Sequence, residues 1–315
     1  MANLIATPRA WKKKAILAKL EASPGVDAAP TGAANWIEAR NVTFEPMDAE
    51  TVERDIIAPY FGNGGKLITA KYTKISFEVA LVGSGAAGVA PKVAPLLLAC
   101  AMAQTVTPAT SVAYNLVSEA IQAVTIYVNV DGVLHKLVGC RGNVALTLAA
   151  KGIPLLKFDL ESIYTTPAAE AMPAVDRDGW LIEKPVTAAT TAALTLGGTA
   201  LAYSACELNL GNQLARIDLP GPQTEVAILD RKPTASATVL APALAVFDPF
   251  ALAESGATLA LATTQDAGAG RAAQLAAQVR VIGVDYDRID EMLAYKLTLE
   301  PTPIAGNDEF ALTYL

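Results

Sequence analysis

VTIYVNVDGVLHKLVGCRGNVALTLAAKGIPLLKFDLESIY, residues Val124 to Tyr164, is the stretch whose reading decides the fold. Val124, Ile126, Val128 and Val130 alternate with Thr125, Tyr127 and Asn129, the period of a half-buried strand, and Asp131-Gly132 is a two-residue hairpin signal. Val133 to Val138 reads as the return strand and Val144 to Leu148 as a further one, before Lys151-Gly152-Ile153-Pro154 interrupts the sheet. Leu156, Phe158 and Leu160 then alternate with Lys157, Asp159 and Glu161, so the last strand has one apolar and one charged face.

A weaker copy of this stretch runs from Thr258 to Leu299. Thr258 to Ala262 resembles Thr125 to Asn129, the Gly268 and Gly270 region replaces the turn, and Val279 to Asp285 matches the strand through Val144. A constant offset of about 137 places Tyr295 on Phe158, Leu297 on Leu160, Val281 on Val144 and Leu293 on Leu156. Upstream, Lys71 to Ala80 aligns without gaps to Arg231 to Leu240, and Ala39 to Phe44 aligns to Ala205 to Leu210. Each half also carries a Pro-led apolar helical segment, Pro95 to Ala99 and Pro249 to Ala253. The order is the same in both halves. The expected fold is mainly β: two tandem sandwich or barrel domains, each with a flanking helix, arising from an internal duplication.

The boundaries follow from composition. Residues 1–35 read as an N-terminal arm, in which Thr7-Pro8-Arg9 opens a short helix through Leu20 and Ser23-Pro24-Gly25 stops it. The first domain spans 36–165, and a linker rich in Pro, Ala and Thr spans 166–190, with Trp180 docked inside it. The second, more diverged domain covers 191–315, with a terminal strand over Glu309 to Leu315. Between the first strand (Ala39 to Glu45) and the second (Lys71 to Val82) lies an irregular stretch, Pro46 to Leu67, longer than a compact domain needs. It reads as a protruding loop that docks onto a neighbour, with a plain flexible hairpin as the alternative. A shorter counterpart runs from Gly211 to Ala227, with Gly221 and Pro222 at its tip.

Composition excludes several classes. Hydrophobic content of 52% against 17% charged residues is too apolar for disorder. The longest apolar run, Val93 to Ala103, is too short to span a bilayer as a helix, and no secretion signal is read, so no membrane association is expected. Three distant cysteines, Cys100, Cys140 and Cys206, point to reduced, buried thiols. The net charge of -7 is asymmetric: residues 1–188 hold 17 acidic and 17 basic side chains, residues 189–315 hold 14 and 7. That is opposite to a nucleic-acid binder, and suits a surface that DNA passes without sticking.

Catalytic chemistry finds little support. His135 is the single histidine, with no adjacent cysteine or acidic motif, so neither a triad nor a zinc site is expected. Tyr60-Phe61-Gly62-Asn63-Gly64-Gly65-Lys66 lacks the hydroxyl residue and glycine spacing of a phosphate-binding loop. Asp285 to Glu291 lacks the glycine of a calcium loop and reads as an acidic turn. Asn41-Val42-Thr43 fits a glycosylation acceptor only in a secreted chain. No enzyme activity and no cofactor are expected.

Ile16 to Glu21, Gly25 to Asn35, Ala94 to Cys100, Thr125-Ile126-Tyr127 and Asp131 to Leu137 together resemble the major tail tube protein of long, flexible, non-contractile tailed bacteriophages. The resemblance covers residues 10–165, and the rest only through the duplication. It implies a sandwich whose inner strands join neighbours' strands into a tube wall with sixfold rings, so that two copies of the fold in one chain need only three subunits per ring. It also implies a virion location, assembly in the host cytoplasm and passage of DNA at ejection. The implied partners are the chain itself, a tape-measure protein and DNA held without specific binding in the lumen, and the tail terminator and distal tail proteins. Contacts between subunits and stacked rings are expected from Trp11, Lys12, Lys13, Lys14, Arg54, Tyr60, Phe61, Gly64, Lys66, Gly221 and Pro222. The lysines have a solvated helix face as their plainer reading. Glu78, Asp159 and Glu161 are the lumen candidates. Other readings are a decoration or tail-terminator protein, a secretion-system tube, and a carbohydrate-active β-sandwich enzyme.

Overall fold

The computed structural model describes residues 8–57, 59–221, 223–266, 268 and 270–315. The first described element is a strand: β1, Lys14–Leu20, pairs antiparallel with Val124–Val130. This corrects the helix expected through Leu20. Ala15 to Ala18 are all buried, with Ile16 and Ala18 in the main core and Leu17 against Trp36, Tyr127 and Leu134. A helix would bury one stripe, whereas consecutive buried residues need a strand covered on both faces.

After the single turn α1 (Gly32–Asn35) come β2 (Ala39–Glu53) and β3 (Lys66–Ala80), one long hairpin with register shifts near Arg40, Glu45 and Glu50. Much of the expected irregular stretch is therefore paired strand, Asp48 to Glu53 against Lys66 to Tyr72. Helix α2 (Ala94–Leu98) carries Pro95 in its first turn and drives Leu96 and Leu97 into the core. The hairpin β4 (Met102–Thr107) and β5 (Ser111–Leu116) follows.

Next come β6 (Val124–Val130), β7 (Val133–Ala149), β8 (Leu155–Ile163) and the short β9 (Ala168–Ala169). Asp131 and Gly132 both have positive φ, 43° and 93°, as a two-residue turn matching strand twist requires. The two strands expected on either side of residue 140 are one continuous strand, which shifts register between Val138 and Arg141. Its first part pairs with β6 and its second with β8, so β7 passes from one layer of the sandwich to the other.

The second half contains β10 (Leu194–Leu196), β11 (Thr199–Leu201), β12 (Tyr203–Asn209), β13 (Asn212–Asp218), β14 (Thr224–Arg231) and β15 (Thr234–Leu240). Helix α3 (Pro249–Ser255) is capped by the Asp248 carboxylate, which accepts from the Phe250 and Ala251 amides, and ends on Gly256 at φ 60°. β16 (Leu259–Gln265), β17 (Ala273–Ile289), β18 (Met292–Pro301) and β19 (Phe310–Tyr314) complete the chain.

The ladders repeat. In the first half they run β2, β3, β8, β7, β6, β1; in the second, β12, β15, β18, β17, β16, β10. Placing β18 on β8 by their partners gives an offset of 139 rather than 137: Lys157, Leu160 and Glu161 fall on Lys296, Leu299 and Glu300. The same register puts Phe44 on Leu208, two residues from the sequence alignment. A two-residue slip keeps the alternation in phase, so periodicity alone does not detect it.

Packing follows the alternation. Ile75, Phe77, Val79, Leu156, Phe158 and Leu160 point inward, and the Phe77 and Phe158 rings lie 5.8 Å apart. Ala237, with Leu297 opposite it, stands where Phe77 and Phe158 stand in the first half. The segment after β9 crosses between halves: Trp180 Nε1 donates to Trp36 O at 3.1 Å, Glu183 pairs with Arg40, and Lys184 reaches Asp266 at 2.8 Å.

Candidate assembly surfaces

The two halves are joined edge to edge. β12 pairs with the last part of β7, placing Asn209 opposite Ala145, Leu208 opposite Leu146 and Cys206 opposite Leu148. One hydrogen-bonded run of eight strands results, in the order β2, β3, β8, β7, β12, β15, β18, β17. Both of its ends are open. β2 pairs only with β3, and from Arg280 to Ile289 β17 pairs only with β18, among the described residues. Open edges this long invite another chain.

The face of this run turned away from the core alternates with the buried positions. Glu45, Glu78, Asp159, Glu207, Asp285, Asp287 and Glu300 lie on it, interspersed with Lys74, Lys157, Arg280 and Lys296, so it is acidic on balance. Of the sequence-derived lumen candidates, Glu78 and Asp159 lie on this face, half-buried. Glu161 starts on it too, but is taken up by another element.

That element is the hairpin β13–β14, which bends away from β12 and β15 at Gly211 and lies over β7 and β8. Gly211 has φ 62°, and a Cβ there would meet Lys232 O at 2.1 Å, so the bend requires glycine. Three arginines fasten the hairpin. Arg216 Nε donates to Glu161 at 2.8 Å, its Nη2 to Asp48 at 2.8 Å, and its guanidinium stacks 4.6 Å from the Tyr72 ring. Arg141, largely buried on β7, donates to Glu225 at 3.0 Å and to Val226 O at 2.8 Å. Arg231 pairs with Glu309, which is 3% exposed, and donates to Val117 O. Hydrogen bonds from Lys74 and Arg216 hold the Asp48 carboxyl below the usual range.

The equivalent hairpin tip of the first half is exposed. Ile57, Tyr60 and Phe61 are 100%, 75% and 108% exposed. Arg54 N donates to Gly65 O, and a Cβ on Gly64 would meet Arg54 O at 2.3 Å, so glycine closes this tip. Lys66 pairs with Glu53 at 3.0 Å. Gly221 sits at the exposed tip of β13–β14; Pro222 lies outside the described residues.

Trp11, Lys12 and Lys13 are exposed ahead of β1, Lys14 Nζ lies 3.5 Å over the Trp11 ring, and Lys13 is 3.8 Å from Asp131. This group is at the β6–β7 turn. These residues thus lie in three places: the tip of β2–β3, the tip of β13–β14 and the segment ahead of β1.

His135 packs edge-on against Phe44 at 5.0 Å, and burial lowers its pKa. Burial pushes the Cys206 thiol up to about 12, and raises the Cys100 and Cys140 thiols as well. Among the described residues no three His, Cys, Asp or Glu side chains gather to hold a metal, and no helix is long and apolar enough to cross a membrane.

The arginine anchors escaped the sequence reading. A usable signal existed: Arg141 and Glu161 recur as Arg280 and Glu300 at the same separation. A family model described as phage tail tube protein matches residues 11–310. No curated protein matches the sequence.

Proposed function

The chain belongs to the phage tail tube protein family, and from that premise we propose that it assembles with itself into stacked rings of three copies that form the tail tube wall. The single observation that supports this reading is the eight-strand run open at both ends. Its internal seam, β7 to β12, is the template for the seam between copies, which would join β17 of one to β2 of the next. Carried over by the shared register, the template puts Glu45 opposite Asp285, Phe44 opposite Tyr286 and Val42 opposite Arg288 of the neighbour. The matching order of strands in the two halves supports an internal duplication, with each half one unit of a pseudo-sixfold ring.

Three runs of eight strands close a barrel of twenty-four. With strands about 4.8 Å apart and tilted about 40°, its backbone diameter is about 48 Å, leaving room for a DNA duplex inside the side chains. The acidic balance of the face turned from the core suits it to the lumen, where phosphate is repelled and DNA slides at ejection. The hairpin tip at residues 54–65, the tip at Gly221 and the segment around Trp11 are left for axial contacts between rings. The tape-measure protein would share the lumen, and tail terminator and distal tail proteins would meet the last rings, with assembly in the host cytoplasm.

Mass photometry and negative-stain microscopy of the purified chain test the reading. Three-copy rings, alone or stacked, are expected; six-copy rings would refute the pseudo-sixfold assignment. Oxidising a Glu45→Cys, Asp285→Cys double variant within such rings should give covalent trimers, because the native thiols are all buried.

A further inference from the structure

β1 has different chemistry at its two ends. Ahead of Lys14, Trp11 is 78% exposed, and its segment is pinned at the β6–β7 turn. The Asp131 carboxylate accepts from the Ala10 amide and lies 3.8 Å from Lys13, and the Asp131 amide donates to Lys13 O at 3.0 Å. At the other end, Leu20 borders a groove of about 550 Å³ together with Pro95 and Leu98 of α2, Met102 of β4, and Val117 and Ala120 of the segment between β5 and β6. These six are apolar, and the exposed Glu119 stands beside them. β4, which lines the groove, pairs only with β5 among the described residues. An apolar groove and an open strand edge are both places where a second chain docks.

We propose that this groove receives Trp11 of a second copy, one stacked in the next ring, with Lys12 of that copy against Glu119. The proposal rests on the ring reading above. Position selects the occupant. β1 spans about 20 Å from Lys14 to Leu20, too far for Trp11, pinned beyond Lys14, to reach the groove of its own chain. Copies within one ring are related by rotation about the tube axis and carry their Trp11 at one common level. Only a copy displaced along the strand brings a Trp11 end to a Leu20 end, a head-to-tail contact that repeats without closing and so builds a stack. Number agrees as well. The second half has no counterpart of β4–β5, and the residues directly ahead of β10, Val186 to Ala193, hold neither tryptophan nor lysine, so each chain has one such segment and one such groove. Trp11 and Lys12 set an aromatic anchor beside a positive charge, and the groove sets an apolar lining beside a carboxylate, the pairing of a buried centre with a polar rim. Because Asp131 already holds the segment in place, docking orders little that was free.

The double variant Lys12→Cys, Glu119→Cys reads this directly, since both positions are exposed and the native thiols are all buried. Oxidised in assembled tubes, it should give a ladder of linked chains running beyond three copies on non-reducing gels, because each link passes from ring to ring. Links between copies of one ring would stop at three. Trp11→Ala should leave far-UV circular dichroism and three-copy rings unaltered but weaken stacking about tenfold, read as tube length by negative-stain microscopy across a concentration series. Oxidation products of no more than three copies, Trp11→Ala tubes as long as those of the unaltered chain, or rings that never stack would overturn the inference while leaving the three-copy ring standing. An unaltered chain that forms no rings at any concentration removes the ring reading itself, and this inference with it.

Discussion

Removing the Arg216 side chain should release the β13–β14 hairpin without unfolding the rest of the chain. Arg216 is 21% exposed, and Arg216→Ala deletes two charge-assisted hydrogen bonds at 2.8 Å and a stacking contact with Tyr72. Charged hydrogen bonds contribute about 1.5–3 kcal/mol each when shielded, and an exposed cation–π contact about 0.5–1. Partial solvent access and the long side chain's lost entropy reduce that sum. The net loss should be about 2 kcal/mol, concentrated in the hairpin's own opening equilibrium. Hydrogen exchange is the appropriate assay, because a local opening does not register as a single unfolding midpoint. Amides of Leu214 to Val226 should exchange about thirtyfold faster, while those of Phe77 and Phe158 should be unchanged. Arg216→Lys, keeping the charge but not the fork, should lie between. Unaltered protection of the hairpin in Arg216→Ala would show that the ionic anchors do not hold it.

Phe77→Ala, which opens a cavity beside Phe158 at a fully buried site, should destabilise the chain by about 3–5 kcal/mol in urea unfolding. Replacing residues 54–65 by a two-residue turn should leave three-copy rings intact by mass photometry but prevent their stacking into tubes under the microscope. Acid should also loosen the chain. Asp48, Asp27, Asp266 and Glu183 all have folded-state pKa values held below their unfolded ones, so their contribution is present at neutral pH and lost as pH falls through the depressed values. Thermal stability measured from pH 6 downward should decline below about pH 4, and Asp48→Asn should shrink that decline.

Much of the fold was legible because alternation is a strong local signal. Val124 to Tyr164, the Asp131-Gly132 turn and the helices led by Pro95 and Pro249 were all readable from residue order. β1 was not, since the apolar run Ala15 to Ala18 is too short to show either period, and that all four are buried is known only once a partner on each face is seen. The offset between halves slipped by two because Leu293, Tyr295, Leu297 and Leu299 are alike in pattern; only their partners in β15 fix the register. The assembly surfaces were visible as unusual loops, but Arg141, Arg216 and Arg231 gain meaning from the bend at Gly211, a tertiary event. Nor does any local pattern distinguish a strand edge that is filled from one that is open, which is the difference between β7 and β17.

The hairpin Met102–Leu116 has no counterpart between α3 and β16 in the second half. Its outer strand pairs with β19, so it lies where the two halves of one chain meet. On the reading that the two halves are duplicated units, fusion into one polypeptide frees each to change without the other, and this hairpin would be such a divergence. A tube of these chains would therefore present a landmark at every second unit, three around each ring. A protein gripping such a tube there could find a unique rotational setting only every third of a turn, although the channel inside would approach sixfold regularity.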